Sequence, residues 1–399
     1  IDSARKWVPE IQAKEKPDLL VGLFHAGTDF TYSGYQKESK DNPNAASLVA
    51  EQVPGFDVIF VGHDHAGHNE TATAPDGKKV LILGGLNDAR TAAVANVALS
   101  WDAATSSWTK ALTGEIVEVK ALTADAEFMG KFAGIVQTVK DYVAKPIGTF
   151  TATIGTRESM FGDSPFVDLI HTIQLGLTKA DVSFAAPLSF DASIKEGNVY
   201  VRDMFNLYQY ENLLYTMSLT GAQIKDFLEY SYRYWFDTMK GPDDRLIAFK
   251  RGADGKPVWN ERYRNYDTAT RYYNYDSAAG IDYTVDVSKE PGSRITIRGF
   301  SDGRPFDPAA IYTVAINSYR ATGGGGHVTK GTGLKPEQLD AITLSSTVKD
   351  LRYYLMKWIE QQKVVTPKAL GNWKVVPTEW WEKAKAVDYG LLYEGKRLP

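Results

Sequence analysis

The segments Asp18-Leu-Leu-Val-Gly-Leu-Phe-His-Ala-Gly27 and Asp57-Val-Ile-Phe-Val-Gly-His-Asp-His65 decide how this chain is read. Each opens on a short apolar run bounded by polar or turn residues, the pattern of a buried strand. Between them lies a polar loop over 27–42. Asn44–Gln52 then reads as a helix, with Asn42 or Asn44 as its cap and Pro43 near its start. Strand, helix and strand over this length make a βαβ unit, so the two strands are expected to be parallel neighbours. His25 follows the first run and His63 the second. Functional side chains of open α/β sheets gather outside the carboxyl ends of parallel strands. Both imidazoles are therefore expected in one crevice, with His65 aimed there by the turn Gly62-His-Asp-His65.

Neutral imidazole suits Zn, Mn, Fe or Ni. A site for two divalent ions also needs carboxylates, and Asp29 and Asp64 are near in sequence. His68 is a further candidate ligand with His63 and His65. The competing reading is a set of loop histidines on a polar surface. His171 falls on a helix with the apolar face Phe166, Leu169, Ile170, Ile173 and Leu177, and is expected to be a surface or packing residue.

Composition bounds the rest. The chain has 399 residues, 43% hydrophobic and 24% charged, with a net charge of −4. At about 150 residues per domain this length suggests two or three domains. No basic stripe exists to neutralise phosphates, which argues against duplex nucleic acid as a partner. No apolar run approaches the roughly 18 residues that cross a bilayer. With no Cys, disulfide scaffolds, cysteine nucleophiles and thiolate metal sites are excluded. The 22 Tyr point to stacking surface.

Further helices are expected over Ala4–Lys14, with Trp7, Val8 and Ile11 on one side, and over Thr123–Val143. Strands are expected over Val80–Leu83, Ala92–Trp101 and Gly114–Val119. The abrupt start in the middle of an α/β pattern suggests chain upstream of Ile1. From about Lys145, helices over Asp163–Leu177, Gly221–Phe236 and Thr347–Gln362 mix with strands over Leu213–Leu219, Tyr283–Val287, Arg294–Arg298 and Tyr312–Asn317. Without strict alternation this is a mixed α/β domain. Lys240–Asp276, polar and aromatic, reads as a long surface insertion. The organisation expected is an α/β domain over 1–120, a connecting helix over 121–145 and a second domain over 146–399.

Two segments of the second domain stand out: Tyr208-Gln-Tyr-Glu-Asn212, leading into a strand, and Asn317-Ser-Tyr-Arg-Ala-Thr-Gly-Gly-Gly-Gly-His327, following one. Four consecutive glycines allow positive φ and close approach of backbone to a ligand. No Gly-Lys-Ser/Thr follows, so this is not the phosphate loop of nucleoside triphosphatases. Tyr210 and Tyr319 are candidates to face each other across a planar ring, with Asn212 at its edge. The alternative is a flexible loop beside ordinary core tyrosines.

Taken in order, Phe-His-Ala-Gly, Gly-His-Asp-His, Tyr-Glu-Asn, Ser-Leu-Thr-Gly and Tyr-Arg-Ala-x-Gly-Gly resemble the exported bacterial 5′-nucleotidase and cyclic-phosphodiesterase family. Ala185–Phe190, Tyr275-Asp276, Asp282–Asp286 and Asn317–Ala321 are closer to its 2′,3′-cyclic-nucleotide 2′-phosphodiesterase/3′-nucleotidase branch. The resemblance implies a metallophosphoesterase domain, a calcineurin-like α/β sandwich, followed by a mixed α/β C-terminal nucleotidase domain. It implies metal ligation by His25, His63 and His65, and base binding by Tyr210, Asn212 and Tyr319 with Gly323 and Gly324. The family's opening Asp-x-His, bridging Asp and Gly-Asn-His-Glu loop with the catalytic His match nothing here. The first domain is accordingly expected to be incomplete, with no catalytic residue assigned.

The stretch that supplies arginines in many 5′-nucleotidases reads Ala-Pro-Leu-Ser-Phe here, and Gly325 replaces a frequent acidic residue. The implied intact protein is an exported, periplasmic or cell-surface hydrolase of nucleotide phosphoesters. It would use two divalent ions such as Mn or Zn. Two rival readings are a nucleoside-binding fragment without turnover and a phosphoesterase for non-nucleotide substrates.

Overall fold

The computed structural model describes residues 1–31, 35–39, 42–261 and 263–398. Parts of the loop expected over 27–42 and of the insertion expected over 240–276 thus lie outside the described residues. The chain divides into two compact units, Ile1–Phe132 and Ala133–Pro399.

In the first unit, α1 (Asp2–Glu15) precedes β1 (Val21–Leu23), α2 (Ala46–Gln52) and β2 (Val58–Val61). β1 and β2 are parallel, with Val21 opposite Val58, as the βαβ pattern requires. The four-stranded sheet is completed by β3 (His68–Thr73) and β4 (Lys79–Gly84) in the order β1-β2-β4-β3. β3, His-Asn-Glu-Thr-Ala-Thr, was absent from the sequence expectations. It is a polar, largely exposed edge strand and carries no run of buried apolar positions.

Alternation along the strands covers both faces of this sheet. Ile59, Val80 and Ile82 pack with Val8, Val49, Ala50, Val53 and Phe56 on the helical side. Val58, Leu81 and Leu83 face Ala93, Ala95 and Leu112 on the other. Those last three belong to a hairpin of β5 (Thr91–Asp102) and β6 (Ser107–Glu118), longer than the strands expected there. Lys110 Nζ reaches Asp57 at 2.7 Å, and Asp57 Oδ2 also accepts from the Leu20 amide at 2.8 Å. Of the three apolar residues expected on one side of α1, only Val8 is buried. The next helix begins at Ala126, after the Asp125 side chain accepts from the Phe128 amide at 2.7 Å, and runs to Val143.

The second unit is a mixed α/β domain. Its largest sheet has the strand order Ser277–Ala279, Val182–Ala185, Ile311–Asn317, Leu213–Thr220, Thr343–Asp350. Ile311–Asn317 is antiparallel to Leu213–Thr220, with Leu214 opposite Asn317. A three-stranded sheet joins Ile295–Phe300, Ile281–Asp286 and Trp373–Val376.

The helix Gly221–Arg233 starts at a capping box, Thr220 with Gln223. Pro165–Thr178 starts with Ser164 at its cap position and proline first. The helix expected over Thr347–Gln362 begins only at Leu351, because Asp350 caps it by accepting from the Tyr353 amide at 3.1 Å. The residues before it pair as a strand.

The expectation of a surface insertion at Lys240–Asp276 is overturned. Leu246, Ile247, Phe249, Tyr266 and Tyr275 are buried in the main core beside Phe227, Tyr232, Trp235 and Phe236. Polar spacing hid them, since they enter the core singly rather than as a periodic run.

Buried polar groups here are tied to backbone. The Glu229 carboxylate accepts from the amides of Gly292, Arg294 and Ile295 at 3.0, 3.1 and 2.7 Å. His171 is fully buried and lies against the Ser183 and Ser277 hydroxyls at 2.9 and 3.0 Å, which makes it a packing residue. Burial pushes its imidazole down to about 3, so it is neutral. Asp168 accepts from the Leu370 amide at 2.6 Å, and Asp163 from that of Gly371 at 2.7 Å. Burial, and then the Asp163 carboxyl beside it, raise Asp168 well above the usual carboxylate range.

Two outcomes follow from these contacts. Glu229→Ala strands three buried amides and is expected to cost about 3 kcal/mol, measured as a shift of the urea midpoint. Asp168 keeps its proton when folded and loses it when unfolded, so its contribution to stability falls as pH rises above about 4 through the neutral range. Thermal melts of Asp168→Asn should show a shallower decline over that range; an unchanged slope would contradict the assignment.

Candidate functional site

In the first unit the strand ends behave as the βαβ pattern requires. The Phe24 amide donates to Phe60 O at 2.9 Å and the Gly62 amide to Ala26 O at 3.1 Å, which draws the loops after β1 and β2 together. His25 and His63 meet there with ring centroids 5.3 Å apart, edge to face. His63 and His65 both hold left-handed backbone, at φ 64° and 59°. For residues with a Cβ this conformation is strained and often marks a functional turn.

His65 does not join the pair. Among the described residues, no group of three or more His, Asp or Glu side chains is placed to hold a metal ion. Each nearby carboxylate is engaged elsewhere. Asp64 Oδ2 lies 2.9 Å from His68 Nε2 and accepts from the Thr28 amide at 3.1 Å. Asp29 accepts from the amide and hydroxyl of Thr31 at 3.0 and 2.6 Å. His68 turns to Asp64 instead of toward His63 and His65. The donor set is of the right type, but two facing imidazoles without a carboxylate do not complete a divalent site.

In the second unit the antiparallel register brings the aromatic and glycine segments together. Residues 208–212 enter the strand Leu213–Thr220, while residues 318–326 leave Ile311–Asn317 at the same end of the sheet. The Ser318 hydroxyl accepts from the Leu213 amide at 3.1 Å, and Asn212 O accepts from that of Leu351 at 2.7 Å. Tyr210 and Tyr319 are 41% and 48% exposed, so both rings retain a face for a ligand. Burial, then Gln209 in opposition, then the Tyr319 phenol act on Tyr210, and the net effect raises its hydroxyl. Asn212 Nδ2 donates to the Tyr208 hydroxyl at 3.3 Å.

Asn317 caps the short helix Ser318–Ala321 by accepting from the Arg320 amide at 2.9 Å. The glycine segment then turns on positive φ at Gly323, Gly325 and Gly326. Gly324 lies so close under the Tyr319 ring that a methyl group there would come within 2.6 Å of two ring carbons.

Beneath this surface are residues that the sequence reading did not single out for a role. Arg320 and Asp276 are buried and paired at 2.7 Å. His327 is wedged between the Phe227 and Tyr230 rings, at 5.0 and 5.1 Å. Burial, then the Arg320 charge, push His327 down to about 3. Its Nε2 donates to Asn274 O at 2.9 Å, which fixes the neutral tautomer. Tyr275-Asp276 was visible in the sequence as a motif, but spacing alone did not connect it to Arg320.

Comparisons with known proteins bear on the family and the fold. Residues 146–331 match the family model of the 5′-nucleotidase C-terminal domain. The chain is 27% identical to the trifunctional nucleotide phosphoesterase protein YfkN of Bacillus subtilis over 422 residues, covering 94% of this chain and 26% of that protein. It is 26% identical to the 2′,3′-cyclic-nucleotide 2′-phosphodiesterase/3′-nucleotidase of Yersinia enterocolitica, covering 94% of this chain and 60% of the relative. The chain thus spans between a quarter and three-fifths of the length of these two relatives.

Among solved structures, a Staphylococcus aureus protein assigned as a 5′-nucleotidase superposes with a TM-score of 0.68 at 22% identity, over 94% of this chain and 67% of that one. A 5′-nucleotidase precursor from Thermus thermophilus gives a TM-score of 0.52 at 19% identity, with the same coverage. These superpositions establish the shared fold. Residues 146–331 thus match the 5′-nucleotidase C-terminal domain, and the chain shares its fold with a 5′-nucleotidase structure over 94% of its length.

Proposed function

We propose that this chain binds the base of a nucleoside or nucleotide between Tyr210 and Tyr319, and that the protein it belongs to hydrolyses nucleotide phosphoesters. The observation that carries this reading is the pair of half-exposed tyrosines brought to one sheet end by antiparallel neighbours, with glycine backbone against one ring. Aromatic rings with an open face bind planar bases by stacking, worth about 1–3 kcal/mol per base. Asn212 is assigned to the base edge, and Gly323 and Gly324 to the backbone approach. The names of the relatives, nucleotidases and cyclic-nucleotide phosphodiesterases, supply the reaction class. His25, His63 and His65 are proposed as the imidazoles this chain contributes to a divalent metal centre of Mn or Zn type. Export to the periplasm or cell surface is proposed on the same resemblance.

A second reading, nucleoside binding without turnover, is favoured by one observation: the described residues gather no group of three metal-ligating side chains. The two readings share the base site and differ in phosphate release.

Adenosine titrated into the chain by calorimetry should bind in the micromolar to millimolar range. The Tyr210→Ala, Tyr319→Ala double variant should lose that binding while melting normally. Absence of binding to the unaltered chain would remove the base site from the proposal. Phosphate release from a nucleotide after metal is stripped and restored would exclude the binding-only reading.

A further inference from the structure

Arg320 is buried beneath the surface that carries Tyr210 and Tyr319. A guanidinium carries five N–H donors, and here each meets an oxygen. Nε donates to Asp276 Oδ2 at 3.0 Å. One Nη2 hydrogen reaches the same oxygen at 2.7 Å and the other reaches Tyr273 O. Nη1 donates to Asn274 Oδ1 at 3.1 Å and to Gly324 O at 3.2 Å. Arg320 is 1% exposed and Asp276 is fully buried. The guanidinium therefore ties the segment 273–276 to the glycine segment.

The glycine segment in turn carries the Tyr319 ring. A methyl group at Gly324 would fall 2.6 Å from two carbons of that ring, and one at Gly325 would collide with Arg320 Nη1 and with Asn274 Oδ1. At Gly326 a methyl would fall 2.7 Å from the Tyr230 hydroxyl. Three consecutive glycines are thus fitted to Tyr319, Arg320 and Tyr230 in turn. Such a segment has no side chains of its own to hold it in place, and free glycine backbone is costly to order. Besides its own turn bonds, Gly323 N–H to Arg320 O at 2.9 Å and Gly326 N–H to Gly323 O at 3.0 Å, it is tied through Gly324 O to the Arg320 guanidinium.

We propose that the buried Arg320–Asp276 pair is the positioning device of the base site, acting through Gly324 to hold the Tyr319 ring at stacking distance from a base opposite Tyr210. Arg320 and Asp276 are positioning residues and touch no ligand. The inference rests on the base site proposed above. It explains why a buried ion pair, which seldom adds net stability over apolar packing, lies directly under a ligand surface. Lysine cannot replace arginine here, because an ammonium on a flexible stem cannot reach Asp276, Asn274 and Gly324 in one plane.

The test compares the unaltered chain with Arg320→Lys and Gly324→Ala. Adenosine binding is followed by calorimetry and by the hypochromic change that stacking causes in the adenine absorption band. Arg320→Lys keeps a charge beside Asp276 and is expected to stay folded, with adenosine affinity about tenfold weaker and the absorbance change reduced at saturation. Gly324→Ala keeps the ion pair but displaces the ring, and should show the same two losses.

A purely structural role would lower the melting temperature and leave the absorbance change per bound adenosine intact. That result, or unchanged affinity in Arg320→Lys, overturns the inference while the base site stands. Should Arg320→Lys not fold, Asp276→Asn, which keeps the size of the side chain and removes the charge paired with Arg320, decides in its place: unchanged stacking overturns the inference, and lost stacking in a folded variant supports it. If the unaltered chain does not bind adenosine, the base site and the inference fall together.

Discussion

A guanidinium with every N–H donor matched to an oxygen, taken wholly out of water, is the constraint on which the glycine segment of the second unit depends. Removing such a group from water is expensive, and its attraction to Asp276 repays that only when the geometry is complete. The consequence is a single allowed arrangement. Tyr273 O, Asn274 and Asp276 on one side and Gly324 on the other must all be in place for Arg320 to be satisfied. His327 packs into the same arrangement as a neutral ring that donates to Asn274 O. The cluster ties the glycine segment, through Gly324 O, to the buried guanidinium beside Tyr319.

Polar groups play a similar part elsewhere in that unit. Glu229 gathers the amides of Gly292, Arg294 and Ile295, and Asp163 with Asp168 clamps the two amides of Leu370 and Gly371. In each case a carboxyl on or beside a helix satisfies backbone that no sheet partner reaches. An unpaired buried amide would cost about 1–3 kcal/mol, so these carboxyls determine where the loops lie. Aromatic side chains then fill the space between: Trp235 stacks on Tyr275 at 5.1 Å, and Tyr283 on Trp373 at 5.6 Å.

The first unit uses backbone geometry to the same end. Two parallel strands deliver His25 and His63 to one place because their register is set by Val21 opposite Val58 and their loops are joined by amide–carbonyl bonds. Asp64, lying between two left-handed histidines, is drawn to Thr28 and His68. That engagement turns the carboxylate away from the imidazole pair.

Local pattern in the sequence was enough for several features. The βαβ unit was legible because short apolar runs bounded by turns can bury only as strands. The meeting of His25 with His63 followed from the rule for parallel strand ends. Tyr210 and Tyr319 were legible as candidates from their place beside strands and glycines. Other features depended on tertiary structure. The polar edge strand His68–Thr73 has no apolar period to betray it, and the core residues of 246–275 enter singly among polar neighbours. Whether His65 joins its neighbours, and which oxygen each Arg320 donor finds, depends on residues far apart in the chain. Sequence periodicity records what a residue does within its own element. The cost of an unpaired buried charge or amide is settled only when distant elements come together, and it is this cost that ties Arg320 to the segment 273–276 and to Gly324.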